Sequence, residues 1–239
     1  MARMQKIVVL GGKTFREIHQ LIEDINASGK HSYEVTALLD DNEELHGTNI
    51  CGVTVKGPLS KVHSYPVDTV FAMAINNNKR RIQRMDILRN LGLPLERFPH
   101  LVHPSAVIDP STKIGHGTQI YQFCTTAPGV CLDEFCMISP YSLFALDCIV
   151  GKGVLTGARV TVLGNVKIGA CSFIGSGSLL TESIVIGPAA FIGAGSVVLQ
   201  DVHSGHFTMG NPARQQIRNI QVPEDLLETD KKYVKKLFL

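Results

Sequence analysis

Residues 162–203 read VLGNVK IGACSF IGSGSL LTESIV IGPAAF IGAGSV VLQDVH when cut every six residues. Each hexad opens on Val, Ile or Leu, and its fifth position holds Val, Ser, Ile or Ala. The same frame runs back to Val102 through VHPSAV IDPSTK IGHGTQ IYQFCT TAPGVC LDEFCM ISPYSL FALDCI VGKGVL TGARVT, giving 17 hexads with no insertion. Fifteen of the first positions are aliphatic or aromatic, the exceptions being Thr126 and Thr156. Sixteen of the fifth positions are Ala, Ser, Thr, Cys or Val, the exception being Ile184. A fixed period held this long marks a stacked repeat architecture, which an ordinary β-sandwich does not produce.

A prism with three flat walls satisfies the pattern, each hexad supplying one short strand and one corner. The first-position side chain points inward and fills the axis. The fifth position faces inward beside a tight corner and must be small. Glycine at the second position (Gly115, Gly151, Gly157, Gly169, Gly175, Gly187 and Gly193) is expected where a corner needs relaxed backbone sterics. Three hexads close one 18-residue coil, and coils stack at the inter-strand spacing, so the prism is roughly 25 Å tall.

The rest of the composition narrows the class. The chain has 239 residues, 44% hydrophobic, with a net charge of +2 and no long basic run, which gives no sign of a nucleic-acid partner. No stretch of about 18 apolar residues occurs, so no membrane span is expected. MARMQKIVVLGG is too short and too soon broken by glycine for a secretory signal. The six cysteines show no metal-finger spacing and are read as small buried hydrophobes in a reducing, cytoplasmic setting, with no metal. Lys79–Arg80–Arg81 is read as a solvated first turn of a helix.

Ahead of the repeat, residues 5–10 form a buried strand that ends on Gly11 and Gly12. A helix follows from about Thr14 to Ala27, with Phe15, Ile18, Leu21, Ile22 and Ile25 on one face and Gly29 past its end. Strands over 33–39 and 69–74, then a helix ending near Gly92, complete a small doubly wound, Rossmann-like α/β domain. The predicted organisation is 1–100 for this domain, 101–214 for the β-helix and 215–239 for a helical, amphipathic tail. Ligands of such sheets sit at the carboxyl ends of strands. Those ends carry Gly11, Gly12, Lys13, Asp40, Asp41, Ile75 and Asn76. The amides of the first helix, with Lys13, suit a diphosphate, and Asp40 or Asp41 suits a sugar hydroxyl or base N–H. A complete phosphate-binding loop is absent, because Ile7 stands where its first glycine would be, and so is a full G-x-G-x-x-G.

With both domains read, the chain resembles the bacterial nucleotide-sugar N-acetyltransferases and the related sialic-acid O-acetyltransferases, which serve cell-surface polysaccharide biosynthesis. The likeness lies in LLDDNEELHGTNICGVTVKGPLSKV (38–62), VFAMAINNNKRRIQRMDILRNLG (70–92), HLVHPSAVI (100–108), FIGAGSVVLQDV (191–202) and MGNPAR (209–214). It implies a left-handed β-helix, a homotrimer, and an N-terminal domain holding a UDP-, dTDP- or GDP-linked amino sugar. It also implies acetyl-CoA along the β-helix between subunits. Gly175 and Gly193 would offer it amides, Leu155 would lie near its acetyl group, and Lys167 and Arg214 would neutralise phosphate.

One departure stands out. The family supplies a general-base histidine in a Glu-His-Asp triplet before a cysteine; here the segment reads Ala145–Leu146–Asp147–Cys148. A second family histidine aligns with Leu155. The replacement is expected among His116, Tyr121, Tyr141 and Asp147, with Asp147 and His116 the leading candidates, unless transfer proceeds without a protein base. Tyr141 and Phe144 replace smaller or polar neighbours of the family site. Three activities remain: an N-acetyltransferase, an O-acetyltransferase, which needs a base more, or an inactive paralogue that binds nucleotide sugar, CoA or both.

Overall fold

The computed structural model describes residues 4–29, 31–216 and 222–227. The chain divides after Pro104 into two compact units, four residues past the predicted boundary.

In the first unit, β1 (Gln5–Leu10), α1 (Phe15–Ala27) and β2 (Tyr33–Leu39) follow one another as the hydrophobic pattern requires. A short hairpin of β3 (Asn49–Ile50) and β4 (Val53–Thr54) intervenes before β5 (Val70–Met73) and α2 (Arg81–Leu91). The parallel sheet has the order β2-β1-β5, with β1 central and its Ile7–Leu10 stretch fully buried. Helix α1 buries Phe15, Ile18, Leu21, Ile22 and Ile25, the residues its 3.6 period selects. The Asn26 carboxamide ties the end of α1 to β2, donating to the Tyr33 carbonyl at 2.9 Å and accepting from the Tyr33 amide at 2.7 Å. Helix α2 departs from the solvated first turn read at Lys79–Arg80–Arg81, because Arg81 is buried. Ile82 and Ile87 are only half-buried, whereas Arg81 and Arg84 are buried and Arg81 donates to the Asn78 carbonyl at 2.9 Å.

The second unit is the triangular prism. Two-residue strands stack in register, each residue paired with one 18 positions further along. Thr125 pairs with Val107 and Leu143, and Cys131 with Lys113 and Ile149, while Phe173 pairs with Leu155 and Phe191. The first wall runs through Val107–Ile108, Thr125–Thr126, Leu143–Phe144, Thr161–Val162, Leu179–Leu180 and Val197–Val198. The second runs from Lys113–Ile114 to Val185–Ile186, and the third includes Gln119–Ile120, Leu155–Thr156 and Phe191–Ile192. First-position side chains from Ile120 to Val198 fill the axis. Burying each such aliphatic side chain contributes about 1.5–3 kcal/mol.

The fifth position is small for a second reason as well. Its hydroxyl or thiol reaches a corner carbonyl 15 residues on: Thr118 to Asp133 (2.6 Å), Cys136 to Gly151 (3.2 Å), Cys148 to Leu163 (3.1 Å), Ser172 to Gly187 (2.9 Å). Serine, threonine and cysteine therefore interchange there. Cys51, by contrast, is exposed on the β3–β4 turn and Cys131 half-buried, so the reading of every cysteine as buried fails at these two.

The corners correct another expectation. The left-handed conformation falls at the fourth position, where Phe123, Phe135, Tyr141, Asp147, Arg159, Asn165, Cys171, Ser183 and Ala189 all have φ between +55° and +62°. Second-position glycine answers to close approach instead: a Cβ on Gly175 would lie 2.5 Å from the Ala194 nitrogen in the next coil.

After the last coil, Phe207–Gly210 and Ala213–Gln216 form an antiparallel pair, so residues 215–216 are strand rather than helix. Their turn is fixed by Gly210 (φ +108°) and a cis Asn211–Pro212 bond. In the predicted helical tail, residues 224–227 form a helical turn, while 217–221 and 228–239 lie outside the described residues.

Candidate functional site

The carboxyl edge of the N-terminal sheet gathers Gly11, Gly12, Asp40 and the segment Ala74–Asn76. Gly11 (φ +104°) donates to the Leu39 carbonyl at 2.8 Å, and a Cβ there would strike the Ile75 side chain and the Ala74 backbone. Thr14, at the start of α1, donates its hydroxyl to the Ala74 carbonyl instead of capping the helix. The first turn of α1 thus has no side-chain cap, and Lys13 beside it is exposed.

Asp40 is committed within the fold. Its Oδ2 accepts from the Gly12 amide at 2.6 Å and its Oδ1 from the Asn42 amide at 2.8 Å, while its carbonyl lies 2.7 Å from His46 Nε2. It clamps the β1 and β2 loops together. Asp41 is exposed and accepts from the Leu59 amide through Oδ1 at 2.8 Å. Asn76 differs from both: its Oδ1 and Nδ2 are both buried, and neither has a hydrogen-bond partner.

On the prism, each sequence-predicted residue falls in a column set by the 18-residue coil. Leu146 and Asp147 lie at the corner between the first and second walls. The coil neighbours of Leu146 are Pro128 and Gly164, so its column presents no titratable side chain on either side. Leu146 is 53% exposed. Asp147 occupies a left-handed corner position (φ +56°), where a short polar side chain is tolerated, and its carboxylate rests over Gly129; a Cβ on Gly129 would lie 2.1 Å from Asp147 Oδ1.

His116 is exposed at a different corner, between the second and third walls, so the prism does not bring it to Asp147 within one chain. Tyr121 is buried and its hydroxyl lies 3.4 Å from Gln119 Oε1. Phe144 is a first-position residue, 1% exposed, and belongs to the core rather than to a pocket.

The third corner, between the third and first walls, carries two kinds of surface. One half is an aromatic column: Phe123 and Tyr141 stack with centroids 5.0 Å apart, and the Arg159 guanidinium lies 5.9 Å from the Tyr141 centroid. The other half is nearly bare backbone. Gly177 (φ +71°) and Gly195 (φ +68°) have nothing within 4 Å of an added Cβ. The amides of Gly175 and Gly193 are not available to a ligand, because they donate to the Ile192 and Thr208 carbonyls at 2.9 and 2.8 Å. What these residues contribute is the lack of a side chain. The 207–216 hairpin closes over this ledge: Met209 covers Gly193, the Gly210 amide lies 3.3 Å from Ser196 Oγ, and exposed Arg214 pairs with Met209. Lys167 projects from the second wall, opposite this corner, and Leu155 is fully buried on the third.

Among the described residues no group of three His, Cys, Asp or Glu side chains is placed to hold a metal ion, and no helix is long and apolar enough to cross a membrane.

A small parallel sheet followed by a hexapeptide prism is the layout of the hexapeptide-repeat acyltransferases. The bacterial transferase hexapeptide (six repeats) family matches residues 147–182. The chain is 30% identical over 190 residues to the GDP-perosamine N-acetyltransferase of Escherichia coli O157:H7, spanning 77% of this chain and 84% of that protein. It is also 30% identical over 122 residues to the UDP-N-acetylbacillosamine N-acetyltransferase of Bacillus subtilis, covering 49% of this chain and 51% of that one. Among solved structures, the acetyltransferase domain of PglB from Neisseria gonorrhoeae in complex with acetyl coenzyme A superimposes with a TM-score of 0.76 at 27% identity, over 89% of this chain and 99% of that one. The chain belongs to the hexapeptide-repeat family of nucleotide-sugar N-acetyltransferases, and its prism is the left-handed β-helix of that family.

Proposed function

We propose that the chain transfers an acetyl group from acetyl-CoA to the amine of a nucleotide-linked amino sugar, with no histidine acting at the acylation corner. One observation carries this reading: Leu146 stands between Pro128 and Gly164, so neither neighbouring coil offers a titratable side chain beside it. The relatives that act on GDP-perosamine and UDP-N-acetylbacillosamine, and the neighbour bound to acetyl coenzyme A, supply the substrate classes.

The amine lone pair attacks the thioester carbonyl, the C–N bond forms, and the C–S bond breaks with CoA leaving as thiolate. The surplus amine proton passes to water or to a substrate phosphate, and the thiolate is protonated from solvent. Positioning then supplies the acceleration. The strand-end loops with Lys13 and the α1 amides hold the nucleotide diphosphate. The ledge at Gly177 and Gly195 lets the pantetheine arm lie against backbone, with Arg214 beside it for phosphate. Lys167, on the opposite wall, reaches the same CoA only from a neighbouring copy. That suits a homotrimer assembled through the first wall, where Val107 and Leu143 are exposed between the corner that carries exposed Phe123 and Tyr141 and the corner that carries exposed Leu146.

The test is a pH–rate profile with Asp147→Asn and Leu146→His beside the unaltered enzyme. On the base-free route, kcat/KM follows the ionisation of the amine alone, and Asp147→Asn stays within about twofold. A general base contributes about 10²–10⁴-fold, so a hundredfold loss in Asp147→Asn would make Asp147 the base and end the base-free reading. Binding of both ligands with no product by mass spectrometry would instead establish a binding paralogue, the second reading that Leu146 favours.

A further inference from the structure

The carboxamide of Asn76 has no role in the fold described so far. Its Oδ1 and Nδ2 are both shielded from solvent and both lack a partner, a state that native proteins rarely leave uncompensated. Its neighbours are engaged: Asn77 Oδ1 caps the Lys79 amide at 2.9 Å, and the Asn78 carbonyl accepts from Arg81 Nη1 at 2.9 Å. Asn76 also sits where the loops converge. The preceding residues Ala74 and Ile75 abut Gly11, and Thr14 at the start of α1 bonds to the Ala74 carbonyl. A donor and an acceptor on one planar group, buried at the carboxyl end of β5, call for a ligand edge that offers an acceptor and a donor side by side.

We infer that Asn76 reads the hydrogen-bonding edge of the nucleobase. This rests on the nucleotide-sugar reading above and deepens it. Uracil, thymine and guanine each carry a ring N–H next to a ring carbonyl, and the ring forces the two onto the same side. One carboxamide can then meet both, as Asn does with an adenine edge in DNA recognition. An acetamido group on the sugar offers the same two atoms, but its secondary amide is trans, so N–H and C=O point in opposite directions and cannot both meet one side chain. The base, not the acylated sugar, is the match.

The experiment is a binding cycle by calorimetry on the full chain. UDP, dTDP and GDP are titrated first, and the tightest is compared with its ring-N-methylated counterpart, 3-methyluridine, N3-methylthymidine or 1-methylguanosine diphosphate. Both forms are then titrated into Asn76→Ala. The expected result is a loss of about tenfold or more on methylation of the unaltered protein, a similar loss for the plain nucleotide in Asn76→Ala, and little further loss when the two changes are combined. Independent, additive losses overturn the assignment, as does an Asn76→Ala protein that binds the plain diphosphate normally. If Asn76→Ala weakens only sugar-bearing nucleotides, the amide reads the sugar and the assignment also falls. Failure of every nucleoside diphosphate to bind the unaltered protein at millimolar concentration overturns the nucleotide-sugar reading itself. Folding supplies a separate check: ligand-free Asn76→Ala should melt no lower than the unaltered protein, and a clear drop would show that the amide serves the fold.

Discussion

Gly175 and Gly177 stand two residues apart on one corner, and the structure requires that alanine fail at them for different reasons. At Gly175 the added Cβ would lie 2.5 Å from Ala194 N, 2.7 Å from the Gly193 carbonyl carbon and 2.7 Å from Ile192 O. All three are backbone atoms of the next coil and cannot swing aside. The coils must part locally, which costs about 1–3 kcal/mol as overpacking. The Gly175 amide bond to Ile192 O, now 2.9 Å, weakens with it, at about 1 kcal/mol more. The sum is about 2–4 kcal/mol, a fall in melting temperature of roughly 4–16 °C for a chain of this size. At Gly177 an added Cβ meets nothing, and only the φ of +71° opposes it. That strain is about 1–2 kcal/mol, offset by about 0.4–1 kcal/mol from a less flexible unfolded chain, so Gly177→Ala should melt within roughly 6 °C of the parent. Thermal unfolding followed by circular dichroism, at matched protein concentration, measures both. Gly177→Ala melting as low as Gly175→Ala would refute coil contact as the reason for second-position glycine. The same pair separates fold from ligand: Gly177→Ala places a methyl on the bare ledge and should weaken acetyl-CoA binding while leaving the fold largely intact.

Three further outcomes follow from the hydrogen bonding and burial. Asp40→Asn replaces a carboxylate that accepts from Gly12 and Asn42 with an amide that can accept from only one of them; it should cost about 1–3 kcal/mol and lower the urea midpoint, and an unchanged midpoint would show that Asp40 does not clamp the two loops. Burial pushes the Cys148 thiol up from 9.0 to about 11 and raises Cys124 in the same direction. The folded chain therefore holds these protons more tightly than the unfolded one. The stabilisation is complete below pH 9 and is lost as pH rises towards 11. A melting temperature that falls across that window, and falls less in Cys148→Ala, is the expected result, while identical slopes would refute it. Native-state thiol labelling should reach Cys51 first, since Cys124, Cys136, Cys148 and Cys171 are buried.

The prism was legible because its period leaves no freedom: once Val102 opens the frame, each first position must point inward, and from Ile120 onward each is buried. Helix α1 was legible for the same kind of reason, its five apolar residues sharing one face. The corners were not. Nothing in the side chains of Phe123, Tyr141 or Arg159 favours positive φ, and they adopt it because coil closure demands it there. Asp40 looked like a ligand residue because it ends a strand, yet it bonds to backbone amides whose positions no sequence pattern records. The frame itself contained two answers that the resemblance obscured. It puts Phe144 at a first position, inside the core, and it separates His116 from Asp147 by 31 residues, which is no multiple of the 18-residue coil. The sequence puts Asn76 just past β5, where the structure has it, but that both its polar atoms are buried and unmatched needed coordinates.

The left-handed corner residues bear on how this scaffold diversifies. At Phe123, Tyr141, Arg159 and Gly177 one backbone conformation carries two aromatic side chains, a guanidinium and no side chain at all. Interior packing is decided three residues earlier in the hexad and again one residue later. Descendants of a common ancestor can therefore rewrite a corner column, residue by residue, without disturbing the stack beneath it. A gene family built on this prism can change what it recognises faster than it changes how it folds.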